Sequence, residues 1–180
     1  MSNSSRQAFR EGIRTWWGPL SSELVENALQ SLQTLLQAQP SETWLSNLHK
    51  AALARTELDR DPEHGFVLLA HTENGGLYRP PHDHGRSWVL YGVQRGEVEM
   101  RSYVRIEDAS GSVILVRRDA VVVRPGQVLA YLPGDIHDTR CLSDSALLFR
   151  FTERDLKLEE AHGHVTRYAE PENVSTVNPL

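Results

Sequence analysis

The sequence predicts a mainly β domain, a small barrel with amphipathic helices packed on it. Three observations carry that expectation. Residues 66–152 break into short apolar runs rich in β-branched and aromatic side chains. Turn residues separate most of these runs. The first 57 residues have instead the spacing of helices.

In the helical part, Ser21 fits an N-cap with Glu23 in the first turn. Leu24, Val25, Ala28, Leu29, Leu32, Leu35 and Leu36 then recur at helical spacing. Pro40 is expected to end that helix and Ser41 to cap the next, which carries Trp44, Leu45, Leu48, Ala51, Ala52 and Leu53. Amphipathic faces must cover something. A cap on the sheet is the expected role, with a dimer surface as the other use of such a pair.

The strand-like runs are FVLLAHT (66–72), SWVLYGV (87–93), EVEMRSYVRI (97–106), SVILV (112–116), AVVV (120–123), QVLAYL (127–132) and ALLFRFT (146–152). Between them lie Asn74-Gly75-Gly76, Ser110-Gly111, Pro125-Gly126 and Pro133-Gly134. Many short strands at this spacing mean a sandwich or barrel. The expected organisation is a helical region over 1–57, a barrel over 58–170 and a loosely ordered tail over 171–180, all in one structural domain.

The chain has 180 residues, 39% apolar and 24% charged, enough for one ordinary core. Its net charge of -5 is interspersed, so it lacks the basic face that nucleic acid requires. No run of eighteen apolar residues suits a membrane span, and the N-terminal segment has no apolar core of a secretory signal. Cys141 is the single cysteine, which fits a reducing cytoplasm and reads as a small buried hydrophobe rather than a nucleophile.

The chemistry concentrates in the histidines. RPPHDHGRSWVLYG places His82 and His84 two residues apart, and alternate side chains of an extended chain share a face. Pro80 and Pro81 mark an edge or a strand entrance, and Gly85 lets the chain bend directly after the pair. His137 follows 53 residues later in RPGQVLAYLPGDIHDTR, delivered by the Pro133-Gly134 turn. Neutral imidazole is the common protein ligand of zinc, iron, copper and nickel. His82, His84 and His137 are therefore expected to hold one divalent metal ion. His49 and His64 sit among charged residues, His71 ends a strand near the expected pocket, and His162 and His164 form a rival pair in a charged, surface-like stretch.

These residues resemble a known superfamily. HDHGRSWVLYGVQRG (82–96) resembles the first cupin motif, and GQVLAYLPGDIH (126–137) resembles the second. The resemblance covers about residues 60–155 and implies a double-stranded β-helix, a jelly-roll barrel, with the metal at its mouth. Most cupins carry a glutamate four or five residues after the second histidine, where this chain has Trp88 and Val89. The site is thus similar to the three-histidine branch of thiol dioxygenases, typified by cysteine dioxygenase. PPHDHG, SW and YG resemble a bacterial cysteine-dioxygenase-like set.

There are departures. The branch keeps a Ser-x-His-x-Tyr series on a late strand, which aligns here with Leu148, Arg150 and Thr152, so the tyrosine and its histidine partner are absent. A cysteine that crosslinks to that tyrosine aligns with Val89. The family's substrate arginine lies upstream, where Arg55 or Arg60 matches it.

Three neutral ligands leave a divalent ion with its full charge, which favours an anionic substrate and leaves open positions. Fe(II) with dioxygen would give oxygenation. Zn would activate water instead, and Ni or Mn also suits the donors. Arg150 interrupts an apolar strand and has two readings: it pairs with Asp135 or Asp138, or it points into the barrel and holds a substrate carboxylate. Tyr91 lines the pocket if 89, 91 and 93 face inward, or is a core residue. Asp83 orients a ligand or is an exposed turn carboxylate. Trp88 reads as packing, and Glu97 and Glu99 as a solvated strand face.

The expected function is a mononuclear non-haem Fe(II) dioxygenase of a small thiol or other small acid. The alternatives are another metal-dependent cupin enzyme (hydrolase, isomerase or diketone-cleaving oxygenase) or a non-catalytic cupin that binds metal or a small molecule. The expected partners are an anionic small molecule, dioxygen and a second copy in a homodimer.

Overall fold

The computed structural model describes residues 4–169. The tail expected over 171–180 lies outside them. Three helices come first: α1 (Ser5–Trp16), α2 (Ser22–Leu36) and α3 (Thr43–Ala51). Nine strands follow: β1 (Thr56–Arg60), β2 (Val67–Asn74), β3 (Tyr78–His82), β4 (Val89–Arg95), β5 (Val98–Glu107), β6 (Val113–Val123), β7 (Val128–Tyr131), β8 (Ile136–Cys141) and β9 (Ser145–Thr152). A short α4 (Leu156–Ala161) closes the described elements.

The strands form two antiparallel sheets, ordered β1-β2-β9-β4-β7 and β3-β8-β5-β6. Their pairing is nested. β5 pairs with β6, β4 with β7, β3 with β8 and β2 with β9, as in one long antiparallel ribbon rolled on itself. The pairs β4–β9 and β5–β8 join the turns of the roll. That order is the double-stranded β-helix, or jelly roll, that the sequence predicts.

Inside and outside follow from strand alternation. Leu68, Ala70, Leu90, Leu147, Phe149 and Phe151 turn away from the barrel and meet Phe9, Ile13, Leu24, Leu32 and Leu45 of the helices. The aromatic pairs Phe9–Phe151, Phe66–Phe151 and Trp44–Phe149 knit this layer, with ring centroids 5.5–6.1 Å apart. Gly92 admits the helices most closely: a Cβ there would stand 2.8 Å from Leu36. A second cluster, including Val89, Tyr91, Val93, Met100, Tyr131 and Leu148, fills the barrel's interior. Ion pairs Arg10–Asp59 (2.7 Å) and Arg14–Asp61 (2.5 Å) fasten α1 to the region of β1.

Ser21 caps α2 through its hydroxyl, as its position predicts. Other local expectations are corrected. α3 begins after Glu42, which makes no side-chain cap bond, so Ser41 is not the cap. The helix stops at Ala51 because Ala52 takes a left-handed turn (φ 45°), and Leu53 is exposed beyond it. SVILV and AVVV belong to one strand, β6, which runs through Arg117, Arg118 and Asp119 alongside β5. Polar residues between apolar runs imitate a turn, but an exposed edge strand tolerates them. β1, β3, β8 and α4 are too short or too polar to stand out in the sequence.

Phe151 is wholly buried and touches three aromatic partners. Phe151→Ala should cost about 3–5 kcal/mol of stability. Urea unfolding checks it, and an unchanged midpoint would show that this layer does not hold the helices.

Candidate metal centre

His82 ends β3 and His137 stands directly opposite it on β8. His84 lies two residues further, past the strand end. Gly85 then bends the chain with φ 62°, and a Cβ there would stand 2.9 Å from His164. Both requirements exclude a larger residue at that position. His82, His84 and His137 each offer one ring nitrogen within 4.8 Å of the others, a grouping that could hold a metal ion and that no other set of three or more His, Cys, Asp or Glu makes among the described residues.

The rings suit a metal ion. His82 donates its Nδ1–H to the Pro80 carbonyl (2.8 Å), which leaves its lone pair on Nε2. The Nε2 atoms of His84 and His137 are 3.3 Å apart. Two nitrogens bound to one ion at about 2.0–2.1 Å are separated by about 3.0–3.4 Å. The Nδ1 atoms of His84 and His137 are buried without a protein partner. Burial, reinforced by the other histidines and Arg150, holds both imidazoles well below their usual pKa, in the neutral ligand form. His82 is lowered too, chiefly by burial. Tyr131 stacks on His137 at 4.0 Å and fixes its plane.

The histidines lie beside a cavity of about 600 Å³, which His82 and His84 help to line. The sheet facing them supplies other polar groups. Tyr91, on β4, stands directly across from Arg150 on β9. The Tyr91 hydroxyl is 3.1 Å from His84 Nε2, and the Arg150 guanidinium acts on the phenol from beside it. Burial raises the phenol's pKa, so it stays protonated. His71 and Glu73 enter the same cavity from β2. Leu148, Arg150 and Thr152, the positions aligned with the family's Ser-x-His-x-Tyr series, all line it.

Other sequence readings resolve as follows. Arg150 pairs with neither acid proposed for it. Asp138 faces the outer side of its sheet, where it accepts bonds from Arg101 and from the hydroxyls of Tyr78 (3.0 Å) and Tyr103 (2.6 Å). Asp135 accepts from the Leu132 amide. Asp83 is buried, not an exposed turn carboxylate. It binds the Gly85 and Thr166 amides and so holds the loop between ligands rather than a ring. Trp88 packs on Phe151, and Glu97 pairs with Arg124. Arg55 borders the cavity, whereas Arg60 pairs with Glu57 and Asp155. His64 stacks on Trp17, His49 bonds Arg95, and His164 lies against Glu159. Cys141 is buried, which raises its pKa.

The sequence reading missed the segment after α4. Val165, Arg167 and Tyr168 form part of the cavity wall. The segment runs against β3 through Asp83 N–H to Thr166 (3.0 Å) and Tyr168 N–H to Pro81 (2.8 Å). Its charged, irregular sequence carries no strand signal.

No protein-family model matches the chain, and no curated protein matches it. Several solved structures are similar to part of it. The Cnp3 cupin domain of Schizosaccharomyces pombe is 10% identical over 61% of this chain and 69% of its own, with a TM-score of 0.44. Oxalate oxidase in complex with glycolate is 22% identical over 56% of this chain, which spans 50% of that one, with a TM-score of 0.44. KdgF from Halomonas sp. is 17% identical over 58% and 82%, with a TM-score of 0.44. The barrel's architecture rests on its own strand order. No helix is long and apolar enough to cross a membrane among the described residues.

Burial and the cations Arg150, Arg79 and Arg55 push the His71 pKa down to about 3, against 6.5 ordinarily. The folded chain thus leaves His71 neutral where the unfolded chain protonates it. Its contribution to stability is present above pH 6.5 and lost as pH falls toward 3. His71→Gln should flatten the acid limb of the stability curve by up to about 1.4 kcal/mol per pH unit. Urea midpoints between pH 4 and 7 test this, and an unaltered slope would overturn it.

Proposed function

We propose that the chain is a metal-dependent oxidoreductase, a mononuclear non-haem Fe(II) dioxygenase acting on a small thiol or other small acid. The observation that carries this reading is the juxtaposition of three converging neutral histidines with Arg150, which has no carboxylate partner among the described residues, beside one cavity that His82, His84 and Arg150 line. His82, His84 and His137 would hold the ion. When bound, ferrous iron would supply coordination of the substrate's anionic group and activation of dioxygen.

The chain's own residues have distinct tasks in this reading. Three neutral donors leave the ion's charge uncompensated, so an anion is drawn into the cavity. Arg150 faces that position from the opposite sheet and can take a carboxylate through paired N–H bonds. Tyr91 flanks the same guanidinium across the strand pair, and its neutral hydroxyl lies beside His84 where it can donate to a bound anion. Arg79 is neutralised by Glu73 at 2.8 Å and is less available. Buried walls and the segment at Val165–Tyr168 restrict water around the reacting groups. The similarity to thiol dioxygenases supports the reaction class, while Leu148 and Thr152 in place of the family's serine and tyrosine argue for a substrate other than cysteine.

Chelator-free protein should contain about one iron per chain, and His84→Ala should abolish stoichiometric metal. A variant that retained the metal would sink the ligand assignment. Iron-loaded protein should consume dioxygen in the presence of a thiol or hydroxy-acid panel, and metal without uptake would favour a hydrolytic or binding role. Arg150→Met should raise KM for the accepted acid by about tenfold to a hundredfold with a smaller change in kcat. An unchanged KM would remove Arg150 from substrate binding.

A further inference from the structure

His71 has a chemistry that the metal site does not use. It points inward from β2, between Leu69 and Glu73, and is only 8% exposed. The Ala54 backbone carbonyl acts on its ring, while its buried Nε2 has no partner. With Nδ1–H turned toward that carbonyl, the neutral ring keeps its lone pair on Nε2. A buried acceptor left unmade is costly, and such groups in native proteins usually find a donor.

The groups around it leave it unpaired, and Arg150 Nε–H is itself buried without a partner. Arg79 bonds Glu73, and Arg150 lies beside Tyr91. Arg55 is exposed at the rim. None of the three arginines donates to Nε2. Register fixes where His71 stands. Leu69 is opposite Arg150 on β9, and His71 is opposite Leu148, so His71 and Arg150 are diagonal neighbours on one face. Diagonal positions lie about 7–8 Å apart, within one small ligand's span. On the other side of Arg150 stand Tyr91 and then His84. A carboxylate on Arg150 would thus have the metal histidines to one side and a lone acceptor to the other.

We propose that His71 Nε2 is a specificity-determining acceptor, selecting small acids that carry a hydroxyl, thiol or ammonium donor over equal-sized acids that lack one. The proposal rests on the reading of the cavity as a small-acid site. The neutral ring offers this acceptor across the physiological pH range. A ligand with only a methyl group there would leave Nε2 desolvated and unpaired, and sites built to bond a donor reject analogues lacking it far more strongly than apolar pockets reject small size changes.

The test uses zinc-loaded protein, which binds without turnover, with lactate and propionate as calorimetric probes. The intact protein should bind lactate at least about tenfold more tightly than propionate. His71→Phe should bring that ratio close to one, and His71→Gln, whose amide oxygen can accept, should restore part of it. The His71 Nε2 resonance in 15N spectra should be that of an unprotonated nitrogen and should move on adding lactate but not propionate. A ratio that survives in His71→Phe, or a resonance indifferent to lactate, would overturn the proposal, because the preference would then come from the metal. Arg150→Met separates the two readings: it should weaken both acids alike. If neither acid binds the intact protein, the small-acid reading and the role of His71 fall together.

Discussion

The pairing of β3 with β8 is the constraint on which the site depends. It sets His82 opposite His137. Side chains alternate faces along a strand, so a slip of one residue would turn His137 outward and bring Asp138 into the barrel. Asp138 penalises that slip. It is wholly buried on the outer face, held by two tyrosine hydroxyls and Arg101. Breaking such a buried charged network costs several kcal/mol. One residue thus fixes the register, and its neighbour in sequence benefits from it.

The helices explain how a barrel so small can hold polar chemistry. The larger apolar layer lies outside the barrel, between α1–α3 and the five-stranded sheet. Stability comes in large part from Phe149, Phe151, Leu68 and their helical partners. The opposite face of the same strands is then free to carry His71, Tyr91 and Arg150 toward the histidines. The cavity opens between two sheets with different tasks, one bearing His82 and His137 and the other bearing groups that suit an acid. The chain after α4 adds a wall by pairing with β3, and Asp83 holds it there through the Thr166 amide. The histidine loop and the cavity wall are therefore tied by one carboxylate.

Much of this was legible in the sequence. His82, His84 and His137 could be grouped because a His-x-His on an extended chain and a histidine after a Pro-Gly turn have few other uses. The helix from Ser21 was legible because its cap and its leucine period agree. Alternation along 89, 91 and 93 left Tyr91 with two readings, pocket wall or core, and its place beside the cavity came from the pairing of β4 with β9. Arg150 was conspicuous because a guanidinium in an apolar strand needs a partner.

What the sequence by itself determined was local: periodicity, turn positions and the donor chemistry of three imidazoles, all set by neighbouring residues. Tertiary structure alone decided which groups meet. The choice of Arg101 over Arg150 as partner of Asp138, the burial of Asp83 and the orphaned Nε2 of His71 depend on strands 37 to 83 residues apart in the chain coming into register. The continuity of β6 through Arg117–Asp119 was likewise decided by β5 beside it. A hydrogen-bonded neighbour overrides local polarity, and no window along one chain contains that neighbour.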